Sequence, residues 1–599
     1  MVLRVAVLIK QVPVFEQMSL DQHGRLRRDG AGEMNPYCRR AVGKGVELAR
    51  ASGGSVTAIT LGPPTAEDVL REAIAWGADD GVLVSDPAFA GSDTLASARA
   101  LAAVIRREGP FGLILLGRNS VDADTGQVGP QLAEFLGLPF AAAARALEVT
   151  GTTARVRSER DDGWREVTVP LPAVLSCAER LCEPCKVPVD VRAQVDASRI
   201  RTLTAADLGA GPWGQAGSPT RVGQIRILEI ERQRLVLSGP LDRQVGEAAD
   251  LIRANGSIGP AAAPGGAVPP PVAGPRADIA VLAEPGRPAT TRELLGAAAV
   301  LAHARAARVV VLGPQPAESD ELSRWGADEI VPVPGAESEE VAACAGADWV
   351  RSRPPWAVLA PGTVWGREVA ARIAASTGSG LVGDAVELDC DDGRLVAWKP
   401  AFGGHLVAAI TSDSAVQMAT VRPGILAAPV PRCAGEIVIG AAASPAAEPR
   451  IVVERAGVDD QVGVLQAARS VLGIGRGVRR DDLAALEPLR VALGAELGAT
   501  RKITDEGWMP RARQIGLTGH AIAPDLYVVV GVSGKFNHMV GVRGARTIVA
   551  INNDPSAPVF NHCDVGIVGD WHEIVPLLAR ALSQRPAGQQ LAASARKSG

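Results

Sequence analysis

The segment at residues 511–554 constrains the fold of this chain more than any other. It contains two continuous apolar runs, YVVVGV at residues 527–532 and TIVAIN at residues 547–552. Such runs are typical of parallel strands covered on both faces, and the gap between them is long enough for one helix. The gap opens with Ser533 and Gly534, where the backbone can approach a ligand and a following helix start favours an anion. The segment therefore predicts a nucleotide site.

The rest of the chain shows the same rhythm of apolar runs and amphipathic stretches. Residues 1–200 alternate runs such as VAVLIK, SVTAITLG and LILLG with helix-like stretches, and the rhythm restarts with DIAVLAEP at residue 278. Cores must be built from Ala, Val, Leu and Ile, because hydrophobic residues make up 47% of the chain and aromatic residues only 3%. We expect an α/β fold with three doubly wound parallel-sheet modules, the last Rossmann-like. The restart also predicts an internal repeat.

Changes in composition mark the expected domain boundaries. GPAAAPGGAVPPPVAGP at residues 259–275 is typical of an extended linker, and a helix-like arm that could close the first half precedes it. AAASPAAEPR at residues 441–450 predicts a second, shorter linker. The expected divisions are a module at 1–230, the arm and linker at 231–276, a module at 277–435, a linker at 436–450, a module at 451–585 and a disordered tail at 586–599.

Composition excludes several classes of protein. The net charge of −4 leaves no basic excess, so no nucleic-acid partner is expected. Eight cysteines in 599 residues are too few for a disulfide framework. No stretch of 18 or more apolar residues lacks charges, so we expect no transmembrane segment. The N-terminal run VAVLIK indicates a buried strand rather than a signal peptide, and we expect a cytoplasmic protein.

Two motifs of the first module lie beyond the predicted carboxyl ends of strands, where ligands collect in parallel sheets. NPYC at residues 35–38 precedes a predicted helix, and GRNSVDADTGQVGP at residues 117–130 follows the strand LILLG. Asp122, Asp124 and Thr125 are placed to cap a helix that begins near Gln127. A capped helix without a ligand and a ligand-binding loop are both consistent with these residues.

Cys182 and Cys185 form a CxxC pair, which is typical of a redox pair or of half a zinc site. A zinc site needs two further ligands at matching spacing, and the sequence has no second CxxC and no HxxxH. We therefore predict no metal site.

The motifs described so far resemble those of one family. LYVVVGVSGKFNHMVGVRGARTIVAIN at residues 526–552 is similar to the signature of the electron transfer flavoprotein alpha subunit, and QIGLTG, GIGRG, LGATRKITDEGW and APVFNHCDVGIVGD fall in family order. NPYC, DADTGQVGP and LPAVLSCAERLCEP resemble the beta subunit. The chain departs from the alpha pattern at Leu517, Val529 and Asn537. The resemblance implies that a beta-like half and an alpha-like half are fused, beta first, and pack intramolecularly.

The resemblance to the alpha subunit implies an FAD in the last module. Arg501 would lie near the isoalloxazine, His538 would donate to the flavin C2 carbonyl, Thr518 would hydrogen-bond N5 and Arg476 would neutralise the diphosphate. The implied cofactor-binding residues are Arg476, Thr500, Arg501, Gln514, Ile515, Gly516, Leu517, Thr518, Ser533, Gly534, Lys535, Phe536, Asn537, His538, Asn552, Asp570 and Trp571.

The resemblance to the beta subunit implies a second nucleotide, either FAD or AMP, in the first module. The DTGQVGP run favours FAD, whereas Cys38 is closer to the AMP pattern. CEPCKVP corresponds to a partner-recognition loop, from which Lys186, Val187 and Pro188 would project. The implied nucleotide-binding residues are Asn35, Pro36, Tyr37, Cys38, Asp122, Asp124, Thr125, Gln127, Val128 and Gly129.

Three functions are compatible with these features. The resemblance favours an electron carrier that accepts electrons from flavin dehydrogenases, such as acyl-CoA dehydrogenases, and passes them to a membrane quinone oxidoreductase. An enzyme that oxidises NADH and splits the electron pair between two acceptors is a second possibility. A nucleotide-binding sensor without a redox role is the third, because a doubly wound fold alone does not fix function.

Overall fold

The computed structural model describes residues 2–14, 32–227, 232–255, 266–272, 274, 277–313, 318–401, 406–426, 429–443, 448–458, 464–516, 519–520, 522–542 and 544–583. The strands are β1 (Arg4–Ile9), β2 (Gln11–Pro13), β3 (Gly32–Met34), β4 (Ser55–Leu61), β5 (Asp80–Val84), β6 (Leu113–Gly117), β7 (Phe140–Thr150), β8 (Thr153–Arg160), β9 (Gly163–Pro170), β10 (Ala173–Cys177), β11 (Ile200–Leu203), β12 (Thr220–Ile227), β13 (Leu235–Val236), β14 (Ala277–Leu282), β15 (Ala307–Gly313), β16 (Glu329–Pro332), β17 (Ala357–Pro361), β18 (Gly380–Ala385), β19 (Glu387–Asp391), β20 (Arg394–Ala401), β21 (Leu406–Ser412), β22 (Gln417–Val421), β23 (Val438–Ile439), β24 (Val452–Val458), β25 (Ser470–Ile474), β26 (Glu496–Ala499), β27 (Leu526–Val530), β28 (Thr547–Asn552) and β29 (Val565–Val568).

The helices are α1 (Pro36–Ser52), α2 (Glu67–Trp76), α3 (Thr94–Glu108), α4 (Val128–Leu136), α5 (Val189–Arg192), α6 (Ala205–Leu208), α7 (Leu241–Ala254), α8 (Pro288–Arg305), α9 (Ser319–Trp325), α10 (Glu339–Ser352), α11 (Val364–Thr377), α12 (Val464–Ala467), α13 (Glu487–Leu493), α14 (Arg501–Asp505), α15 (Phe536–Met539) and α16 (Trp571–Ser583). Within the described ranges, none of them is both long and apolar enough to cross a bilayer.

The chain forms two units, and each of them contains segments from both halves of the sequence. The first unit comprises residues 1–227 and 263–458, and the second comprises residues 228–262 and 459–599. Three sheets that contain runs of parallel strands, with helices on their faces, confirm the predicted α/β class.

The first module is built on the sheet β11-β5-β4-β1-β6-β10-β7-β8-β9-β24. Its pairs from β11 to β7 are parallel, and the remaining pairs are antiparallel. Along β1, Val5 and Val7 belong to the core beneath one helical layer, whereas Ala6 and Leu8 belong to the core on the opposite face. This two-sided burial explains why the strand sequences are apolar without alternation.

The second module repeats the first. Its sheet order is β18-β22-β17-β14-β15-β16-β23, in which β16-β15-β14-β17-β22-β18 matches β5-β4-β1-β6-β10-β7 strand for strand along the chain. The predicted internal repeat is therefore confirmed. A four-stranded antiparallel sheet, β12-β21-β20-β19, joins the end of the beta-like half to the second module.

The second unit contains the parallel sheet β13-β29-β28-β27-β25-β26. The chain runs from β25 to β26 on one side and from β27 through β28 to β29 on the other. The order thus reverses between β25 and β27, and such a switch point leaves a crevice at the carboxyl ends of the strands where ligands bind.

Two segments pair differently from the expectation. The arm was expected to close the first half, but β13 pairs with β29 and α7 packs on α16 in the second unit. Residues 452–458 were expected to open the last module, but β24 pairs with β9 in the first unit. In both cases the partner is distant in sequence, so local pattern and composition could not identify it.

Candidate functional site

Four glycines form the crevice at the switch point of the second unit. A Cβ on Gly475 would lie 2.4 Å from the carbonyl oxygen of Gly531, and a Cβ on Gly477 would lie 2.7 Å from the Gly531 Cα. Gly531 and Gly534 have φ of +64° and +78°. The loops after β25 and β27 therefore approach each other with bare backbone, which leaves room and N–H groups for a phosphate.

A cavity of about 420 Å³ opens at the same edge of the sheet. Its size falls in the range of small-molecule sites, roughly 300–1,000 Å³. It is lined by Gly477, Arg479, Asp482, Gly531, Ile551, Asn552, Asn553, Gly569, Asp570, Trp571 and His572. Three residues expected to bind FAD thus line it, namely Asn552, Asp570 and Trp571.

The side chains of these three residues are held by the surrounding loops. Asn552 Nδ2 donates to the Val532 carbonyl oxygen at 2.8 Å, and Trp571 Nε1 donates to the Gly477 carbonyl oxygen at 3.2 Å. Asp570 accepts from the backbone N–H of His572 at 3.0 Å. Asn552 and Trp571 therefore fix the positions of the two glycine loops.

Cations lie at this edge of the sheet as well. Arg476 and Arg479 are exposed, and neither guanidinium forms an ion pair with a residue of the described ranges. Arg501 was expected to lie near the flavin ring; its Nε lies 3.1 Å from Asp505 Oδ2, four residues along the same helix. Thr500, just before that helix, donates its N–H to the Ile474 carbonyl oxygen at 3.0 Å. Arg476 and Arg479 therefore remain available to an anionic ligand.

His538 is buried and hydrogen-bonded through both ring nitrogens. Its Nδ1 lies 3.2 Å from the Ile515 carbonyl oxygen, and its Nε2 lies 2.7 Å from the Tyr527 hydroxyl. A carbonyl can only accept, so the neutral ring carries its proton on Nδ1 and Nε2 accepts from Tyr527. The structure therefore gives His538 a partner other than the flavin carbonyl that the resemblance implies.

Burial makes the second unit sensitive to acid through His538. Desolvation lowers the pKa of this imidazole from 6.5 to about 4. Between these two values the unfolded chain binds a proton that the folded chain does not. Above about pH 6.5 this group therefore does not lower the free energy of unfolding. As the pH drops from 6.5 toward 4, it lowers that free energy by up to about 1.4 kcal/mol per pH unit.

We expect His538→Gln to reduce this acid sensitivity, as measured by urea unfolding at pH 7.5 and pH 5.5. His572→Gln is the matched control, because His572 is more exposed and its pKa is raised by the Asp570 hydrogen bond. If the free energy of unfolding fell between pH 7.5 and pH 5.5 by the same amount in His538→Gln as in the wild-type chain, His538 would not be the source of the acid sensitivity.

The segment before β27 forms a tight loop around its glycines. The Gly516 N–H donates to the His520 carbonyl oxygen at 3.1 Å, and a Cβ on Gly516 would lie 2.4 Å from the Asn537 carbonyl oxygen. Gln514 is fully buried, and its Oε1 accepts from the Thr504 hydroxyl at 2.8 Å. Ile515 is also buried. Leu517 and Thr518 lie outside the described residues.

The helix predicted between β27 and β28 is shorter than expected. Helix α15 is a single turn of four residues, followed by a 3-10 turn at Val540–Val542. A helix of this length has little dipole, so the phosphate site predicted here must depend on the backbone N–H groups of the glycine loop. Ser533, Lys535 and Asn537 are exposed along this loop, Gly534 is buried, and Phe536 begins the turn.

In the first module, Asn35 joins the two predicted motifs. Its Nδ2 donates to the Asn119 carbonyl oxygen at 2.8 Å, and its Oδ1 accepts from the Val121 N–H at 3.2 Å. Pro36 begins α1, and Tyr37 and Cys38 are buried beside it. The NPYC motif therefore supports the loop that follows β6.

The predicted capping of the next helix is wrong. Helix α4 begins at Val128 with no side-chain cap at Gln127. Asp122 instead pairs with Lys10 Nζ at 2.8 Å, and Asp124, with φ of +44°, hydrogen-bonds Asn119. The electrostatic attraction of Lys10 outweighs capping for Asp122, because β1 brings the ammonium to the same edge of the sheet. Thr125 is half-buried, and Gly129 packs against Phe140.

The CxxC pair and the predicted partner loop have separate environments. Cys182 Sγ donates to the Arg40 carbonyl oxygen, whereas Cys185 Sγ donates to the Glu72 carbonyl oxygen. Burial raises their pKa values to about 11 and about 12, so both are thiols at neutral pH. Within the described ranges, no cluster of His, Cys, Asp and Glu could hold a metal ion.

The partner loop only partly matches the expectation. Lys186 and Pro188 are exposed, but Val187 is buried and its N–H donates to Glu72 Oε1 at 3.3 Å. Val187 does not project because the buried Glu72 holds its backbone against α2.

Sequence reasoning missed the partners that hold the site together. Tyr527 supports His538, Val559 fills the space beside Gly534, and Gly477 accepts from Trp571. The members of each pair come from separate elements, so only the glycines themselves gave a local signal.

Comparison with known proteins agrees with this geometry. The chain matches the electron transfer flavoprotein domain twice, over residues 24–208 and 282–456. It matches the electron transfer flavoprotein FAD-binding domain over residues 464–543, which include the switch-point loops. The two copies of the first domain correspond to the structural repeat.

Individual relatives match different parts of the chain. The electron transfer flavoprotein subunit alpha of Mycobacterium leprae is 34% identical over 313 residues, which are 51% of this chain and 91% of that relative. The subunit beta of Clostridium acetobutylicum is 35% identical over 243 residues, 40% of this chain and 93% of that relative. Protein FixB of Rhizobium meliloti is 37% identical over 245 residues, 40% of this chain and 69% of that relative. This chain belongs to the electron transfer flavoprotein family, with a beta-like half and an alpha-like half joined in one polypeptide.

Proposed function

We propose that this chain is a single-chain electron carrier, which takes electrons from flavin dehydrogenases through an FAD in the second unit. The observation that supports it best is the crevice of bare backbone at the switch point, inside the match to the FAD-binding domain. Bound FAD would supply an isoalloxazine ring that accepts electrons singly or in pairs. We propose that a membrane quinone oxidoreductase receives these electrons.

The residues of the crevice suit an extended, doubly charged ligand. The glycine loops offer N–H groups to a diphosphate, and Arg476 and Arg479 supply positive charge next to them. The neutral His538 orients the Ile515 carbonyl through its Nδ1 proton, so the 514–516 loop keeps a fixed position against the ligand. Binding and orientation are therefore the tasks of these side chains.

The carrier function predicts a specific pattern of flavin reduction. We expect about one tightly bound FAD per chain in the second unit, visible by its absorbance. A fatty acyl-CoA together with its acyl-CoA dehydrogenase should bleach that absorbance, whereas the acyl-CoA alone should not. A colourless protein that takes up no FAD would contradict the proposal. Steady consumption of NADH by the purified chain would favour the bifurcating enzyme instead.

We further propose a second nucleotide in the beta-like half, at the edge of the sheet where Asn35, Lys10 and the loop at residues 122–130 meet. A small cavity beside Lys10 is lined by Lys10, Gln11, Val12, Pro13, Gly32, Leu61, Gly62 and Pro63, on the side of β2, β3 and the end of β4. Gly126, with φ of +66°, allows the loop backbone to approach a ligand, and we expect FAD rather than AMP. Heat release and quantification should give about two FAD per chain; one FAD with one AMP would contradict FAD at this site.

Lys186 and Pro188 remain the proposed contacts of the partner loop with another protein, because both are exposed just before helix α5.

A further inference from the structure

We propose that Lys399, together with Arg367, binds a phosphate group of the nucleotide held by the loop at residues 122–130. The proposal rests on the second nucleotide site proposed above. It assigns part of that site to the alpha-like module at residues 277–435, which lies in the same unit as the beta-like half.

Lys399 occupies a core position of the alpha-like module. It lies on β20, two and four residues beyond Ala397 and Leu395, which belong to the apolar core of this module. The side chain is only 6% exposed, and its Nζ has no hydrogen-bond partner among the described residues. Leaving a buried ammonium without an acceptor is costly, so an anion is expected beside it.

The neighbouring charges leave a positive excess. Asp384 accepts from Arg367 Nη2 at 3.3 Å and from Arg422 Nε at 3.2 Å, so two arginines already share its carboxylate. The Nε of Arg367 is buried and, within the described ranges, also has no acceptor. Among the described residues, three cations with two unused donors therefore share the buried carboxylate of Asp384 and the exposed carboxylate of Asp124.

These donors lie beside the nucleotide loop. A Cβ on Gly126 would lie 3.7 Å from Arg367 Cδ, and a Cβ on Gly383 would lie 3.5 Å from Thr125 Cα. Gln127 Nε2 donates to the Leu381 carbonyl oxygen at 3.4 Å. Burial lowers the pKa of Lys399, and the carboxylates of Asp384 and Asp124 partly oppose it. The loop and the unused donors thus belong to one cluster.

The start of helix α4 adds a second donor group at this point. This nine-residue helix has no side-chain cap, whereas in the repeated module Thr363 Oγ1 accepts from the Gly366 N–H at 3.0 Å and caps α11. An uncapped helix start favours an anion. A phosphate between Gln127 and Lys399 would satisfy both the helix start and the ammonium.

The test compares Lys399→Met with Lys44→Met in the full-length chain. Methionine keeps the length and apolar contacts of lysine, so folding is expected to survive. Lys44 is the matched control, since it is similarly buried but its Nζ donates to Glu47 at 2.7 Å. After heat release, Lys399→Met should retain the FAD of the second unit and lose most of its second nucleotide, whereas Lys44→Met should retain both.

Titration of the nucleotide-depleted chain distinguishes the sources of the phosphate. AMP, FAD and inorganic phosphate are added separately. Lys399→Met and Arg367→Met should each weaken, by about tenfold or more, the binding of whichever ligand the wild-type chain binds most tightly. Equal affinity in wild type and both variants would overturn the inference. The inference would also fail if the wild-type chain bound none of the three ligands at this site. An FAD still bound in the second unit would in that case leave the proposed carrier function unaffected.

Discussion

Replacing Gly534 with alanine is expected to give a chain that purifies without the FAD of the second unit. Gly534 lies in the loop after β27 with φ of +78°, and a Cβ there would lie 2.1 Å from the backbone nitrogen of Val559. The left-handed conformation alone costs a non-glycine residue about 1–2 kcal/mol. The contact must also push the 533–534 backbone away from Val559, so we expect a loss of at least about 3 kcal/mol of unfolding free energy.

Gly507→Ala is the matched control for this substitution. Gly507 has φ of +71°, and a Cβ there would have no atom of a described residue within 4 Å. It therefore carries the conformational cost without the collision, and we expect about 1 kcal/mol of destabilisation with full FAD content. The measurements are FAD absorbance per chain and urea unfolding. Normal flavin content in Gly534→Ala would show that this loop does not hold the cofactor.

The sequence predicted the modules well because their strands are buried on both faces. Continuous apolar runs such as RVAVLI and TIVAIN leave little choice other than central parallel strands, and the restart near residue 278 correctly indicated a repeat. The strands that pair with distant modules, β13 and β24, could not be predicted in the same way. The exposed β24 and the short β13 gain their partners from sheet edges more than a hundred residues away.

The candidate site was likewise predictable only in part. The glycines at residues 475, 477, 531 and 534 were visible in the sequence, because bare backbone after an apolar strand is a local signal. The hydrogen bonds of His538 were not visible, since Tyr527 and Ile515 reach it from separate elements. Lys399 gave no signal either, because one lysine in an apolar strand acquires meaning only when its neighbours are known.

The arm at residues 232–255 is an integral part of the second unit. Helix α7 buries Val245, Ala248, Ala249 and Ile252 against the core that contains α16. Arg232 Nη1 pairs with Asp564 Oδ2 at 2.9 Å, and Asn255 Nδ2 donates to Thr547 Oγ1 at 3.0 Å. Burial of the two larger aliphatic side chains alone is worth about 3–6 kcal/mol, a large share of a typical unfolding free energy.

Two ways of dividing the chain should therefore give opposite results. Co-expressed pieces 1–262 and 263–599 should co-purify with about one FAD in the second unit, because the arm stays on the first piece and still packs against α16 and β29. Pieces 1–227 and 263–599 should still associate through the pairing of β12 with β21, but without the arm they should lack that flavin. A separate peptide of residues 228–262 should restore it when added during co-expression. Full flavin content without the arm, or separation of the first pair under dilute, low-salt conditions, would contradict this account of how the fused halves are held together.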